Sequence, residues 1–134
     1  QVIGYSGTAA GEYHAFITGP NGVGMTDLGT LGGSTSWANG INDAGQVVGY
    51  SNPVGLPAYQ HNAFVIGPSG VGMTDLNSLV SLPGVVLSEA TAINNMGQVI
   101  AYSFTNPIPE PQTYALMLAG LVLTGVMVRR KQKG

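Results

Sequence analysis

The sequence predicts an all-β repeat array of four-stranded blades, partial and β-propeller-like, followed by one C-terminal transmembrane helix. Three observations carry that expectation. A hexapeptide recurs three times along residues 1–103, turn-forming residues punctuate each copy, and the chain ends on a long apolar run closed by basic residues.

The repeat fixes the elements in order. Residues 1–6 (QVIGYS) recur as 46–51 (QVVGYS) and 98–103 (QVIAYS), and these six positions form the first segment of each unit. A second segment matches His14-Ala15-Phe16 to His61-Asn62-Ala63-Phe64, with Asn62 read as an insertion. The third is the identical stretch GVGMTDL at 22–28 and 70–76, and the fourth pairs Ser36-x-Ala38-x-x-Ile41-Asn42 with Ser88-x-Ala90-x-x-Ile93-Asn94. Asn62 apart, differences in length fall between segments, as loops tolerate. Each segment is short and rich in β-branched or aromatic residues, so each reads as a strand. Pro20-Asn21-Gly22 and Pro68-Ser69-Gly70 place proline where a turn starts and glycine where φ > 0 is allowed. Asn42-Asp43-Ala44-Gly45 and Asn94-Asn95-Met96-Gly97 serve the same purpose between the fourth segment and the next first. No helix longer than two turns is expected in 1–103, because glycine interrupts every apolar run. A small Gly-rich β-sandwich of duplicated hairpins is the alternative. About two units are present, the expected remnant of a longer array.

Composition excludes several classes. No Lys or Arg precedes Arg129, so nucleic acid is not a partner: phosphate neutralisation needs a basic surface. Cysteine is absent, so neither disulfides nor thiolate metal sites are available. The chain opens on Gln1 with no charged stretch followed by an apolar one, which suits a C-terminal fragment or a processed product.

Beyond the array, residues 104–112 form a Pro-rich linker that contains Pro109-Glu110-Pro111. Residues 113–128 carry no ionisable side chain except the Tyr114 phenol, and residues 129–134 are basic. At ~1.5 Å per residue, 113–128 makes a helix of roughly 24 Å, slightly short of the ~30 Å hydrocarbon core. Four Leu and three Val favour insertion by a total of about 2 to 4 kcal/mol, partly offset by Gly120, Thr124 and Gly125. All four basic residues follow the run and all six acids precede it, so Arg129, Arg130 and Lys131 act as the membrane stop signal on the cytoplasmic side, and 1–108 are exported. The prolines hold Glu110 on a stiff, extended segment just outside the bilayer.

Pro109-Glu110-Pro111, one apolar helix and a short basic end, in that order at the C-terminus, resemble the PEP-CTERM sorting signal of Gram-negative bacteria. That resemblance implies recognition and cleavage by an exosortase, transient anchoring in the inner membrane, and delivery to the cell surface or extracellular matrix. The repeat in turn resembles the extracellular HAF repeat through His14-Ala15-Phe16, Met-x-Asp-Leu-Gly-x-Leu-Gly-Gly at 25–33 and Ile-Asn-x-x-Gly-Gln-Val-Val-Gly at 41–49. Asn77-Ser78-Leu79 and Ala101 depart from that pattern, as in a degenerate terminal unit.

Residues that carry chemistry are few. His14 and His61 are the two histidines and read as equivalent, each an imidazole holding a turn rather than a metal ligand. Asp27 and Asp75 follow Met-Thr in each copy and read as strand-end hydrogen-bond acceptors, not a catalytic pair. The Asn42-Asp43-Ala44-Gly45 loop supplies one carboxylate, too few for calcium. There is no phosphate-binding loop, dinucleotide fingerprint or Gly-x-Ser-x-Gly elbow. Trp37, without a counterpart in the next copy, reads first as a packing residue and second as a carbohydrate-stacking ring.

The expected protein is therefore an exported, non-enzymatic surface or matrix protein, without catalytic residues, metal or cofactor. Its expected partners are the membrane, an exosortase-type protease and, as a candidate, exopolysaccharide. The alternative is a polysaccharide-active propeller enzyme whose catalytic residues lie in blades absent from this sequence.

Overall fold

The structure, a computed structural model, describes residues 1–103; the linker with its Pro-Glu-Pro triplet, the apolar run 113–128 and the basic end lie outside the described residues. Among the described residues nine strands run in chain order: β1 (Ile3–Gly7), β2 (Tyr13–Thr18), β3 (Met25–Asp27), β4 (Gly32–Ile41), β5 (Val47–Pro53), β6 (Asn62–Ile66), β7 (Met73–Asp75), β8 (Leu87–Ile93) and β9 (Val99–Ser103). They form three antiparallel sheets in the orders β1-β2-β3, β4-β5-β6-β7 and β8-β9. Only single 3₁₀ turns interrupt them, at Pro20–Gly22, Pro68–Gly70 and Leu76–Ser78, and among the described residues there is no α-helix. The four-stranded unit is thus present once. It begins at the fourth segment of one copy and ends at the third of the next, so the flanking sheets are incomplete blades of three and two strands. The sheets stack openly and do not close a propeller ring.

Both faces of the central sheet are covered, which is why its strands read as apolar runs rather than alternations. Along β5 and β6, Val47, Phe64 and Ile66 pack with Ala15, Ile17 and Leu28 of the first sheet and its following loop. Their neighbours Val48 and Ala63, with Leu76, pack the other way against Leu87, Ala90, Val99 and Ala101 of the third sheet. Each fully buried Val, Leu, Ile or Phe favours the folded state by about 1.5–3 kcal/mol. A one-residue slip of β5 or β6 would exchange the two cores.

Buried hydroxyls tie the sheets together where the ladder breaks. Ser36 Oγ accepts from Ala15 N (2.8 Å) and donates to Gly29 O (2.5 Å), so it bridges the first and second sheets. Ser51 Oγ accepts from Leu31 N and donates to Thr35 O, both at 2.8 Å. Asn52 Oδ1 accepts from Ser34 N and Thr35 N at 2.9 and 2.8 Å, across the bulge between Gly32 and Ser36.

Successive sheets are in register with their repeat equivalents. Asn42 Nδ2 donates to Asn94 O (3.0 Å), Asp43 N to Asn95 Oδ1 (2.8 Å), and Asn95 Nδ2 to Asp43 Oδ2 (2.8 Å). Within each of these turns the first Asn accepts from the backbone two and four residues on, and Gly45 and Gly97 close the turn at φ 80° and 79°. A side chain there would be strained, as the sequence reading expects. Because every connection alternates, tight turns (19–23, 42–45, 67–71, 94–97) occupy one end of the stack. The other connections (8–12, 28–31, 54–61, 76–86) and the carboxyl end of β9 occupy the opposite end.

Candidate functional site

At the loop end, β3 and β7 each finish on an aspartate whose carboxylate organises the connection. Asp27 accepts from Gly29 N (2.7 Å) and from His14 Nδ1 (2.9 Å). Asp75 accepts from Asn77 N (2.8 Å) and from Asn62 Nδ2 (2.7 Å). Asn77 in turn clamps the start of β8, accepting from Leu87 N (2.7 Å) and donating to Leu87 O (2.9 Å). Both aspartates are the strand-end acceptors the sequence suggests.

The histidines are not equivalent, and here the sequence reading is corrected. Tyr5 pairs with Ala15 and Ser6 with His14; Tyr50 pairs with Ala63 and Ser51 with Asn62. The register therefore aligns 13–16 with 61–64 without a gap. Asn62 takes the place of His14 and His61 that of Tyr13, so Asn62 is no insertion. Matching the two histidines preserves a residue type; matching the backbone preserves a hydrogen bond to aspartate.

Around His14 the charges are opposed. Its Nδ1 faces Asp27, while Nε2 stands 3.6 Å from Glu12 Oε2. The two acids approach opposite ring nitrogens, and among the described residues no three such side chains could hold a metal ion. Burial pushes the Asp27 carboxyl up, but the Gly29 N–H and His14 outweigh it and hold the group below its ordinary value.

The same register gathers a row of rings from distant parts of the chain. Tyr13 meets Tyr5 edge to face (6.0 Å between ring centres), Tyr5 meets Trp37 (6.0 Å), Trp37 stacks on Tyr50 (5.0 Å, 18° between planes), and Tyr50 meets His61 (4.7 Å). Tyr5 and Tyr13 are half exposed; Trp37, Tyr50 and His61 are partly buried. Trp37 and Tyr50 are register partners, as are their counterparts Glu89 and Tyr102. Burial first, then the fields of Glu89 and Tyr5, raise the Tyr50 phenol above its ordinary value. The sequence signal for this row is the tyrosine at the same place in all three hexapeptides, and nothing local joins Trp37 to it.

The sorting residues Pro109, Glu110 and Pro111 and the stop signal Arg129, Arg130 and Lys131 lie outside the described residues, but the linear motif they belong to is decided by comparison. Residues 107–131 match the PEP-CTERM protein-sorting motif. That motif indicates an exported protein whose tail associates with the membrane and is processed by an exosortase. No curated protein and no solved structure matches the chain. The HAF-repeat resemblance therefore rests on the residues quoted for it alone. Among the described residues no helix is long and apolar enough to cross a membrane.

Proposed function

We propose that this chain is a non-enzymatic repeat protein of the cell surface or exopolysaccharide matrix of a Gram-negative bacterium. Residues 113–128 park it in the inner membrane, Arg129, Arg130 and Lys131 stop transfer, and an exosortase cuts at Pro109-Glu110-Pro111 to release it. The match at 107–131 carries this reading. Its non-enzymatic part is supported by Asp27, Asp75 and His14, each committed to closing a strand end. The HAF-like repeat supplies a stackable unit, and the row from Tyr13 to His61 is the face offered to glycan. With no Lys or Arg and five acids in 1–103, that face favours uncharged sugar over anionic polymer.

The test is fractionation of the tagged protein in a host that carries the exosortase. Replacing Pro109, Glu110 and Pro111 together by Ala leaves the apolar helix intact, and full-length chain is expected to accumulate in the membrane fraction with release lost. A triple variant shortened and released like the parent would reduce the triplet to a linker.

A further inference from the structure

The row of rings starts on two tyrosines that are close enough to be joined covalently. Tyr5 lies opposite Ala15 and Tyr13 opposite Gly7, so the two are diagonal neighbours on one face of β1 and β2. Their rings meet edge to face at 6.0 Å between centres. Both stand half exposed, at 56% and 50%, within reach of an oxidant in solution. Gly7 leaves the approach open: a Cβ there would stand 4.0 Å from Tyr13 Cε1, a ring carbon beside the phenol carbon. Tyr59 is more exposed, but among the described residues no ring lies against it.

The geometry points to Tyr5 and Tyr13 as a modification site, where a one-electron oxidant such as a haem peroxidase with hydrogen peroxide forms a dityrosine bond that ties β1 to β2. Each phenol loses one electron and one proton. The two phenoxyl radicals couple through a Cε of each ring, and the hydrogens displaced from those carbons move to the phenol oxygens. The electrons and protons released reduce the peroxide to water. Trp37 widens the target, because it stands 6.0 Å from Tyr5 and stacks on Tyr50. An electron taken from the indole is replaced from Tyr5, which sheds its proton directly to water. Tyr50 is a poorer donor, since burial and then the fields of Glu89 and Tyr5 make its phenol hold the proton more firmly. No cysteine is present to intercept the radical. The bond closes the 8–12 connection and constrains the unfolded chain as a disulfide would, in an exported protein that has none.

The test treats detergent-solubilised full-length chain with a haem peroxidase and limiting hydrogen peroxide. Dityrosine emission is read on the monomer band, and a peptic digest locates the bond, because no Lys or Arg precedes Arg129 for trypsin to cut. The monomer is expected to gain the emission, with residues 5 and 13 in the joined peptides. Tyr5→Phe and Tyr13→Phe keep a half-exposed ring and remove only the hydroxyl, so the fold is retained; each should lower the monomer emission several-fold. Tyr59→Phe should leave it unchanged and lower only the emission of cross-linked dimers. Dityrosine confined to dimers, an undiminished signal in Tyr5→Phe, or the same monomer yield in urea as in the folded chain overturns the inference. So does a parent monomer that stays unmodified while free tyrosine couples in the same mixture.

Discussion

The grooves on either side of the central sheet are built from the same segments and end up chemically different. Between the first and second sheets lie Tyr13, Tyr5 and Trp37, with His14 on Asp27. Between the second and third, the same positions hold His61, Tyr50 and Glu89, with Asn62 on Asp75. In both, the aspartate receives a backbone N–H two residues on and one side-chain donor. The repeat thus preserves an acceptor and a register and lets the donor vary between an ionisable imidazole and a neutral amide. One groove sets an indole beside its tyrosines; the other has a carboxylate in the place of the indole.

The largest expected difference is in packing. Phe64 is fully buried in the central sheet, whereas its counterpart Phe16 faces outward on the first sheet and is only partly covered. Phe64→Ala is expected to cost about 3–5 kcal/mol and Phe16→Ala roughly 1 kcal/mol in urea unfolding. Equal costs would mean that the first sheet carries a second covered face.

A smaller effect separates the two aspartate pairs. Because the folded Asp27 carboxyl sits below its ordinary value of about 3.9, it contributes stability above roughly pH 4 that fades as the pH falls through its folded value. His14→Asn copies the neighbouring unit: it keeps a donor and removes the imidazole charge. A carboxyl titration by NMR is expected to show Asp27 moving up towards its ordinary value in this variant, with the strand-end geometry kept. An unchanged Asp27 would leave the Gly29 N–H as the whole cause.

The smallest effect tests the missing indole. Glu89→Gln removes one of the fields that raise the Tyr50 phenol and leaves its burial in place. The phenol titration of Tyr50 should fall only part of the way to its ordinary value. A complete return would show that charge, not burial, governs that ring.

The strands that were easiest to read in sequence are those buried on both faces. Val47-Val48 and Ala63-Phe64-Val65-Ile66 are uninterrupted apolar runs bounded by turn residues, and they became β5 and β6. The turns at 42–45 and 94–97 were equally plain, because glycine at positive φ has a local cause. β4 was legible only from Ser36 onward: its first residues are glycine and hydroxyl side chains whose strand geometry is imposed by Asn52 and Ser51 from the neighbouring strand. His61 is not legible from residue type, because identity pairs it with His14 whereas strand register pairs it with Tyr13.

By itself, then, the sequence determined the all-β repeat, its turns and the sorting motif at 107–131. These are local properties: a turn needs four residues of the right φ, and a tail motif is read as a linear string. Only the tertiary structure decided that Asn62 replaces His14, that five rings between positions 5 and 61 form one row, and that the loop end leads into the tail. Each depends on which strand lies beside which and in what register, and that is set by covering both faces of the central sheet at once.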